Sequence, residues 1–561
     1  MEKKTPQLFD PKSGFNSATK TFHSLRPPID LPPEDAPISA VDYVSSLRAT
    51  LPWRDDDSVA LINSVTGLRV SFSELTRRTN SLASYLQNVT RLSKNDTAFV
   101  LSTNSIEIPI LYFSLLSLGV IISPANPVHT ESEISRQIQL SNPVIAFAMS
   151  SAVHKLPKLK HRTILIDSPE FDSMTMSWNS KHELDRAKVC QSDVAAIMYS
   201  SGTTGRVKGV MLTHRNLTAA VASSFASSPK RESPAVMLFT MPYFHIYGLF
   251  FCFRAAALME TAVVMQRFDL KMMLKAVEEF RVTHAAVTPP IVVAMSKGGS
   301  TDGYDLSSLE TVACGAAPLG KDTIMAFASK LPKVVLVQLS CVVARLLTMK
   351  AYGLTESTAG VFRTVGPDEC RRWGSTGRLS AGLEAKIVDP ETGDSLPPGK
   401  EGELWIRGPT IMKGYVGEPE VTSATLLPDG WMRTGDLCYI DEDGFLFIVD
   451  RLKDLIKYKG YQVAPAELEH LLLSHREVAD AAVIPYPDEE AGQMPMAFVV
   501  RQPHSSLNEA EIMEFVARQV SPYKKIRRVA FINAIPKSAA GKILRMELRK
   551  VAVPSGSSCR L

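Results

Sequence analysis

Paired cysteines are missing from this 561-residue chain. Its seven cysteines, Cys190, Cys252, Cys314, Cys341, Cys370, Cys438 and Cys559, stand singly, with no C-x-x-C among them. That spacing excludes a cysteine-rich zinc site and a disulfide framework, and it fits a reducing compartment. An excess of one charge is missing too. The 62 Lys and Arg against 58 Asp and Glu leave +4, spread along the chain, so there is no basic arm of the kind that grips nucleic acid. Met1-Glu2-Lys3-Lys4-Thr5-Pro6 lacks the apolar stretch of a secretory signal. Long apolar runs are also absent. Residues 106–124 contain Glu107 and Pro109, and residues 249–265 contain Arg254 and Glu260. Both are expected to be buried helix–loop segments rather than membrane spans. No internal repeat or low-complexity tract occurs.

What is present describes a globular protein of about two to four domains, with 45% hydrophobic and 21% charged residues. Residues 1–40, with Pro27-Pro28 and Pro32-Pro33, suggest an extended surface arm. From about 40 to 340, helical patterns such as Phe72-Leu75-Thr79-Leu82-Leu86 alternate with apolar runs such as Thr97-Ala98-Phe99-Val100-Leu101 and Ala285-Ala286-Val287. This rhythm predicts parallel sheets covered on both faces. Short strands with close Gly and Pro punctuation from 380 to 450 suggest a small antiparallel barrel, and an α+β stretch follows.

The densest chemistry lies in Tyr199-Ser200-Ser201-Gly202-Thr203-Thr204-Gly205-Arg206-Val207-Lys208-Gly209. Glycines let successive N–H groups converge on an anion, hydroxyls add donors, and Lys208 adds a point charge, so the loop is a candidate phosphate cradle. It fits neither G-x-x-x-x-G-K-[ST], since Gly209 follows the lysine, nor G-x-G-x-x-G. Further on, Met241-Pro242-Tyr243-Phe244-His245-Ile246-Tyr247-Gly248 sets a histidine among aromatics, and Cys314-Gly315-Ala316-Ala317-Pro318 is a small-residue turn. Tyr352-Gly353-Leu354-Thr355-Glu356 offers a carboxylate able to hold Mg²⁺ beside a triphosphate. Thr434-Gly435-Asp436 places a carboxylate in an expected tight turn, suited to ribose hydroxyls. Asp450-Arg451-Leu452-Lys453 through Gln462 concentrates cations, and Gly541-Lys542 forms a second Gly-Lys loop. Each motif alone also fits a bland turn or a solvated face.

In this order the set resembles the adenylate-forming superfamily, and among its members plant 4-coumarate–CoA ligase-like proteins. The resemblance implies an α/β fold with an N-terminal region of two βα-layered subdomains and a small β-barrel (residues 1–449, barrel about 380–449). A hinge at 450–453 and a mobile α+β domain at 454–561 would follow. It implies an acid–thiol ligase using ATP, Mg²⁺ and coenzyme A: a carboxylate becomes an acyl-adenylate, then an acyl-CoA. Nucleotide contacts fall to Ser200, Ser201, Gly202, Thr203, Thr204, Gly205, Lys208, Tyr352, Thr355, Asp436, Arg451 and Lys453, with Glu356 as the Mg²⁺ ligand. Lys542 is the adenylation lysine, His245 gates the acyl and thiol approach, and Lys457 and Gln462 serve the thioester step. Tyr247, Gly315, Ala316, Ala317, Gln338 and Ala351 line the acyl tunnel, and Arg267, Lys459 and Gly460 approach coenzyme A.

Where relatives run Val-Gln-Gly-Tyr-Gly, this chain inserts twelve residues, 339–350, between Gln338 and Ala351-Tyr352. Closing such a loop costs only about 1–2 kcal/mol, but the segment adjoins the adenine turn. It is either translated non-coding sequence or a genuine loop with altered activity. The expected substrate is a hydroxycinnamate-like acid; a fatty or oxylipin acid, or a catalytically impaired paralogue, are the alternatives. The tail Cys559-Arg560-Leu561 keeps the small–basic–leucine pattern of a peroxisomal address, which implies an import receptor as partner and otherwise a cytoplasmic location.

Overall fold

The apolar runs form the middle strands of two parallel sheets in a computed structural model. It describes residues 9–176, 188–201, 207–228, 231, 233–287, 289–314, 321–338, 351–358, 360–372, 374–458, 461–488, 491–537 and 543–552. Thr97–Leu101 is buried at every position, as a strand covered on both faces must be. It sits in a seven-stranded sheet ordered Gly414–Tyr415, Val207–Thr213, Val194–Ser201, Ile121–Ala125, Thr97–Leu101, Ile145–Ala148, Ile164–Leu165. A second seven-stranded sheet runs Val335–Gln338, Thr311–Cys314, His284–Val287, Val236–Phe239, Thr261–Val264, Val59–Asn63, Arg69–Ser71.

In each sheet the order reverses at one strand. Thr97–Leu101 lies between its two sequence successors, and Val236–Phe239 does the same in the second sheet. Such switch points leave a crevice beyond the carboxyl ends of the strands, where ligands bind in open α/β sheets. Helices cover the faces. Phe72–Asn88 starts at the Ser71 cap and buries Leu75, Leu82 and Leu86 along one stripe. The two apolar segments noted above are the buried helices Glu107–Ser117 and Ile246–Leu258. Among the described residues no helix is long and apolar enough to cross a membrane.

The strands expected as a small barrel over 380–449 are the middle of a larger antiparallel sheet. Nine strands contribute to it, from Ala351–Gly353 at one end to Phe15–Asn16 and Thr21–His23 at the other. The N-terminal segment is thus more than a surface arm: it adds an edge hairpin whose Phe22 is fully buried. Burial of that ring, on the order of 2–3 kcal/mol, holds the hairpin in place.

After Phe445–Arg451, the last strand of that sheet in chain order, a five-stranded sheet begins at Ile456–Tyr458. Its core is separate, built on Ile456, Val463, Leu468, Leu472, Val483 and Ile512, as an independent domain requires. Helix Pro465–Leu473 has no side-chain cap of its own, and its Ala466 N–H donates instead to Asp450 Oδ2 at 3.0 Å.

His214 opens helix His214–Ala226, is fully buried, and accepts the Ala40 N–H at Nδ1 (3.1 Å). Burial drives its pKa from 6.5 down to about 4. The unfolded chain therefore binds the extra proton first, and stability falls as pH drops from about 6.5 towards 4, by on the order of 3 kcal/mol. Thermal unfolding of His214→Gln, which keeps an acceptor, should vary less with pH across that window than unfolding of the parent. Equal pH dependence would show that this histidine does not set the acid limit.

Candidate active site

On either side of residues 202–206, which lie outside the described residues, the phosphate-cradle motif is carried on two strands. Ser200 and Ser201 end strand Val194–Ser201, and Lys208 lies in the antiparallel strand Val207–Thr213. Ser200 faces Lys208 and Ser201 faces Val207, so the serine and the lysine are brought side by side by register. Tyr199 anchors the strand below them: its hydroxyl donates to Gln137 O at 2.8 Å and bonds Ser123 Oγ at 2.7 Å.

Across from the hairpin, the helical turn Thr355–Ser357 carries Glu356. Its Oε1 accepts from Ser200 Oγ at 3.0 Å and from Tyr415 OH at 3.1 Å, while its carbonyl accepts the Met412 N–H at 2.9 Å. Lys208 Nζ stands 4.7 Å from the centre of the Tyr415 ring. Burial, then the Glu356 carboxylate, raise the Tyr415 phenol, which stays a neutral donor. Two hydroxyls hold Glu356, and among the described residues no cation pairs with it. A single carboxylate of this kind suits Mg²⁺, which takes one or two protein carboxylates and completes its shell with phosphate oxygens and water.

Asp436 is not in a turn. It lies within strand Met432–Ile440 and pairs with Arg451 in Phe445–Arg451. Gly435, at φ 70°, supplies the left-handed residue at the irregularity where register with Gly402–Arg407 shifts. Buried Asp436 accepts from Tyr352 OH at Oδ2 (2.6 Å) and pairs with Arg451 Nε at Oδ1 (3.0 Å). Burial, the largest single influence, opposes charge on Arg451, but Asp436, Tyr352, Asp454 and Glu356 together outweigh it and raise the guanidinium pKa. Tyr352 is raised well above its usual range, by burial first and Asp436 second. The Glu356 and Asp436 clusters therefore share one electrostatic neighbourhood.

His245 follows Val236–Phe239, the switch-point strand, and caps helix Ile246–Leu258 by accepting the Tyr247 N–H at Nδ1 (3.3 Å). Burial lowers its pKa, so the ring is neutral, with its proton on Nε2. Gly248 is required here, because a Cβ would stand 2.0 Å from Pro242 O. Sequence reasoning missed Asn104, at the end of the other switch-point strand. Its side chain donates to Met241 O at 2.9 Å and accepts the Tyr243 N–H at 2.9 Å, and so fixes the turn before His245. It missed Tyr415 as well; nothing in Lys413-Gly414-Tyr415 marks that ring locally.

Gln338 ends the neighbouring parallel strand opposite Cys314, and Ala351 opens the strand that carries Tyr352. Thr355 begins the turn that holds Glu356. Arg267, Lys453 and Lys457 are exposed. Lys457 pairs with Gln462 across the Ile456–Tyr458 and Tyr461–Val463 hairpin, and its N–H donates to Gln493 Oε1 at 2.9 Å. Among the described residues no hydrogen bond or ion pair joins Lys457 or Arg267 to the Glu356 and Asp436 clusters. Gly202, Thr203, Thr204, Gly205, Gly315, Ala316, Ala317, Lys459, Gly460, Lys542, the segment 339–350 and Cys559-Arg560-Leu561 lie outside the described residues.

The AMP-binding enzyme family matches residues 53–416, and the AMP-binding enzyme C-terminal domain matches residues 467–542. The chain is 50% identical to "4-coumarate--CoA ligase-like 9" of Arabidopsis thaliana over 98% of both chains. It is 45% identical to "Peroxisomal OPC-8:0-CoA ligase 1" of Arabidopsis thaliana over 96% of this chain and 98% of that one. Among solved structures, ATP-bound MatB from Rhodopseudomonas palustris superposes with a TM-score of 0.79 at 26% identity, covering 92% of this chain and 99% of that chain. With the anion hairpin, the carboxylate turn and the Tyr352–Asp436–Arg451 cluster arranged as described, the chain belongs to the AMP-binding enzyme family and is an adenylate-forming acid–thiol ligase of the 4-coumarate–CoA ligase-like group.

Proposed function

We propose that this ligase activates a hydroxycinnamate-like acid with ATP and passes the acyl group to coenzyme A. The observation that carries the reading is the joining of the Ser200–Glu356–Tyr415 and Tyr352–Asp436–Arg451 clusters in one neighbourhood. In the first step a carboxylate oxygen of the acid attacks the α-phosphorus, and the bond to pyrophosphate breaks. In the second, the thiolate of coenzyme A attacks the acyl carbon, and the bond to AMP breaks.

Ser200, Ser201, Gly202, Thr203, Thr204, Gly205 and Lys208 cradle the β- and γ-phosphates, and Thr355 reaches the α-phosphate. Tyr352 lies against adenine, while Asp436 accepts the ribose hydroxyls with Arg451 holding its charge. Mg²⁺, held by Glu356, neutralises phosphate charge when bound. Lys542 stabilises the charge that develops at phosphorus. Rotation about 450–453, with Lys453 at its end, withdraws Lys542 and presents Lys457, Lys459, Gly460 and Gln462 for the thiol step. Neutral His245 gates that approach, beside an acyl tunnel lined by Tyr247, Gly315, Ala316, Ala317, Gln338 and Ala351, with Arg267 near coenzyme A.

A fatty or oxylipin acid is the second reading, supported by the relative named for OPC-8:0. That relative's peroxisomal name also supports import through Cys559-Arg560-Leu561.

Pyrophosphate release measured with coumarate, cinnamate and a series of fatty acids should be fastest with coumarate; turnover of long acyl chains alone sinks the hydroxycinnamate assignment. Lys542→Ala should slow pyrophosphate release by about 10²–10³-fold yet leave thioester formation from supplied acyl-adenylate nearly unchanged. Equal loss of both steps would remove the division of labour. Glu356→Gln, which keeps an acceptor oxygen for Ser200 and Tyr415 but loses the charge, should raise the Mg²⁺ concentration needed for half-maximal adenylation by about tenfold or more, with at most a small drop in the unfolding midpoint. An unchanged Mg²⁺ requirement would place the metal elsewhere.

A further inference from the structure

Arg363 is a partly buried cation that forms no ion pair among the described residues. It ends strand Gly360–Arg363 as the cross-strand partner of Ala351, so the two side chains leave the same face of the sheet. Its Nη2 donates to the carbonyl of Ser223 in helix His214–Ala226 and reaches Ser223 Oγ at 3.5 Å, while its Nε is buried with no partner. The carboxylates nearby are committed elsewhere. Glu369 takes both nitrogens of Arg26, at 2.7 and 2.5 Å, and also the Val365 N–H. Arg254, whose charge also acts on Arg363, is paired with Glu260.

Arg26 and Arg254 press on Arg363 while each keeps its own carboxylate, and among the described residues no carboxylate forms an ion pair with Arg363 itself. Tyr247 does not supply the anion. Burial pushes its phenol up to about 12 against the pull of Arg363, so it stays neutral. Burial, then Arg26 and Arg254, bring the Arg363 guanidinium down to about 10, still charged at neutral pH. A buried charge left unpaired is costly, and a bound ligand that supplies the missing acceptor relieves that cost.

We propose that Arg363 receives an oxygen acceptor at the far end of the acyl group, so that the ligase selects carboxylic acids whose tail carries a phenol, ketone or second carboxylate oxygen. This rests on the reading above of Tyr247 and Ala351 as acyl-lining residues. The Nε–H and the second amino group of the guanidinium offer the donors, and a tail without oxygen leaves them unpaired. Discrimination of this kind is strong because the penalty falls on the wrong substrate.

Binding of non-hydrolysable acyl-sulfamoyl adenosines tests the site independently of turnover. Two matched pairs suffice: coumaroyl against cinnamoyl, and a distal-oxo or distal-carboxy chain against the plain chain of equal length. The parent should bind the oxygen-bearing member of at least one pair about tenfold or more tighter, and the pair that shows the gap identifies the source of the oxygen. Arg363→Met should close the gap with affinity for the plain member kept, and Arg363→Lys should retain part of it for the carboxylate. Absence of a gap in both pairs, or an equal loss for both members in Arg363→Met, overturns the proposal. If Arg363→Met does not fold, an undiminished gap in Arg363→Lys for every acceptor does so as well. Failure to bind any of the mimics overturns both the site and the acyl-lining reading. A gap that persists while no thioester forms with coenzyme A overturns the proposed function alone.

Discussion

One carboxylate ties a mostly parallel sheet to the antiparallel one. Glu356 binds Ser200 at the end of a strand in the first parallel sheet and Tyr415 in that sheet's edge strand. Its own carbonyl takes the Met412 N–H, and the turn that carries it follows the first strand of the antiparallel sheet. Removing the carboxyl would therefore leave two hydroxyls without an acceptor and also loosen the seam between two sheets. Hydrogen bonds to a charged acceptor contribute roughly twice what neutral ones do, so the seam is strong. A ligand that draws on the same oxygens, as a metal ion would, exchanges part of that seam for its own coordination. Binding and sheet alignment are then coupled at a single atom, Oε1.

Asn104 performs a matching task beside His245. The two switch-point strands belong to different sheets, and this side chain ties the segment after the first to the turn after the second. Its amide meets both a carbonyl and an N–H of the Met241–Tyr243 turn. That pairing lets His245 cap its helix with Nδ1 and remain neutral in a buried place. The position of His245 is thus decided more than a hundred residues earlier in the chain.

The parallel strands and amphipathic helices were legible in the sequence because their signal is periodic and local: Thr97–Leu101 and Phe72–Asn88 form where the pattern places them. The motifs were legible as chemistry but not as shape. Ser200 and Lys208 meet through antiparallel register, and Asp436 sits in a strand that is irregular at Gly435 rather than in a tight turn. Hydroxyl- and glycine-rich composition favours a turn in isolation, and the ladder partner that overrides it is distant in sequence. Tyr415 and Asn104 were invisible for the same reason, since their partners lie 59 and 137 residues away. Arg363 was overlooked because one arginine in a strand carries no signal until the committed pairs of Arg26 and Arg254 are seen beside it.

The cap on helix Pro465–Leu473 has a mechanical meaning. Asp450, whose carboxylate oxygen accepts that capping bond, belongs to the antiparallel sheet, whereas the helix belongs to the C-terminal sheet's core. The rotation proposed above would detach that carboxylate from the helix N-terminus, uncovering an N–H and the positive end of a helix dipole. The bond would then act as a latch, giving the rotation a threshold to cross.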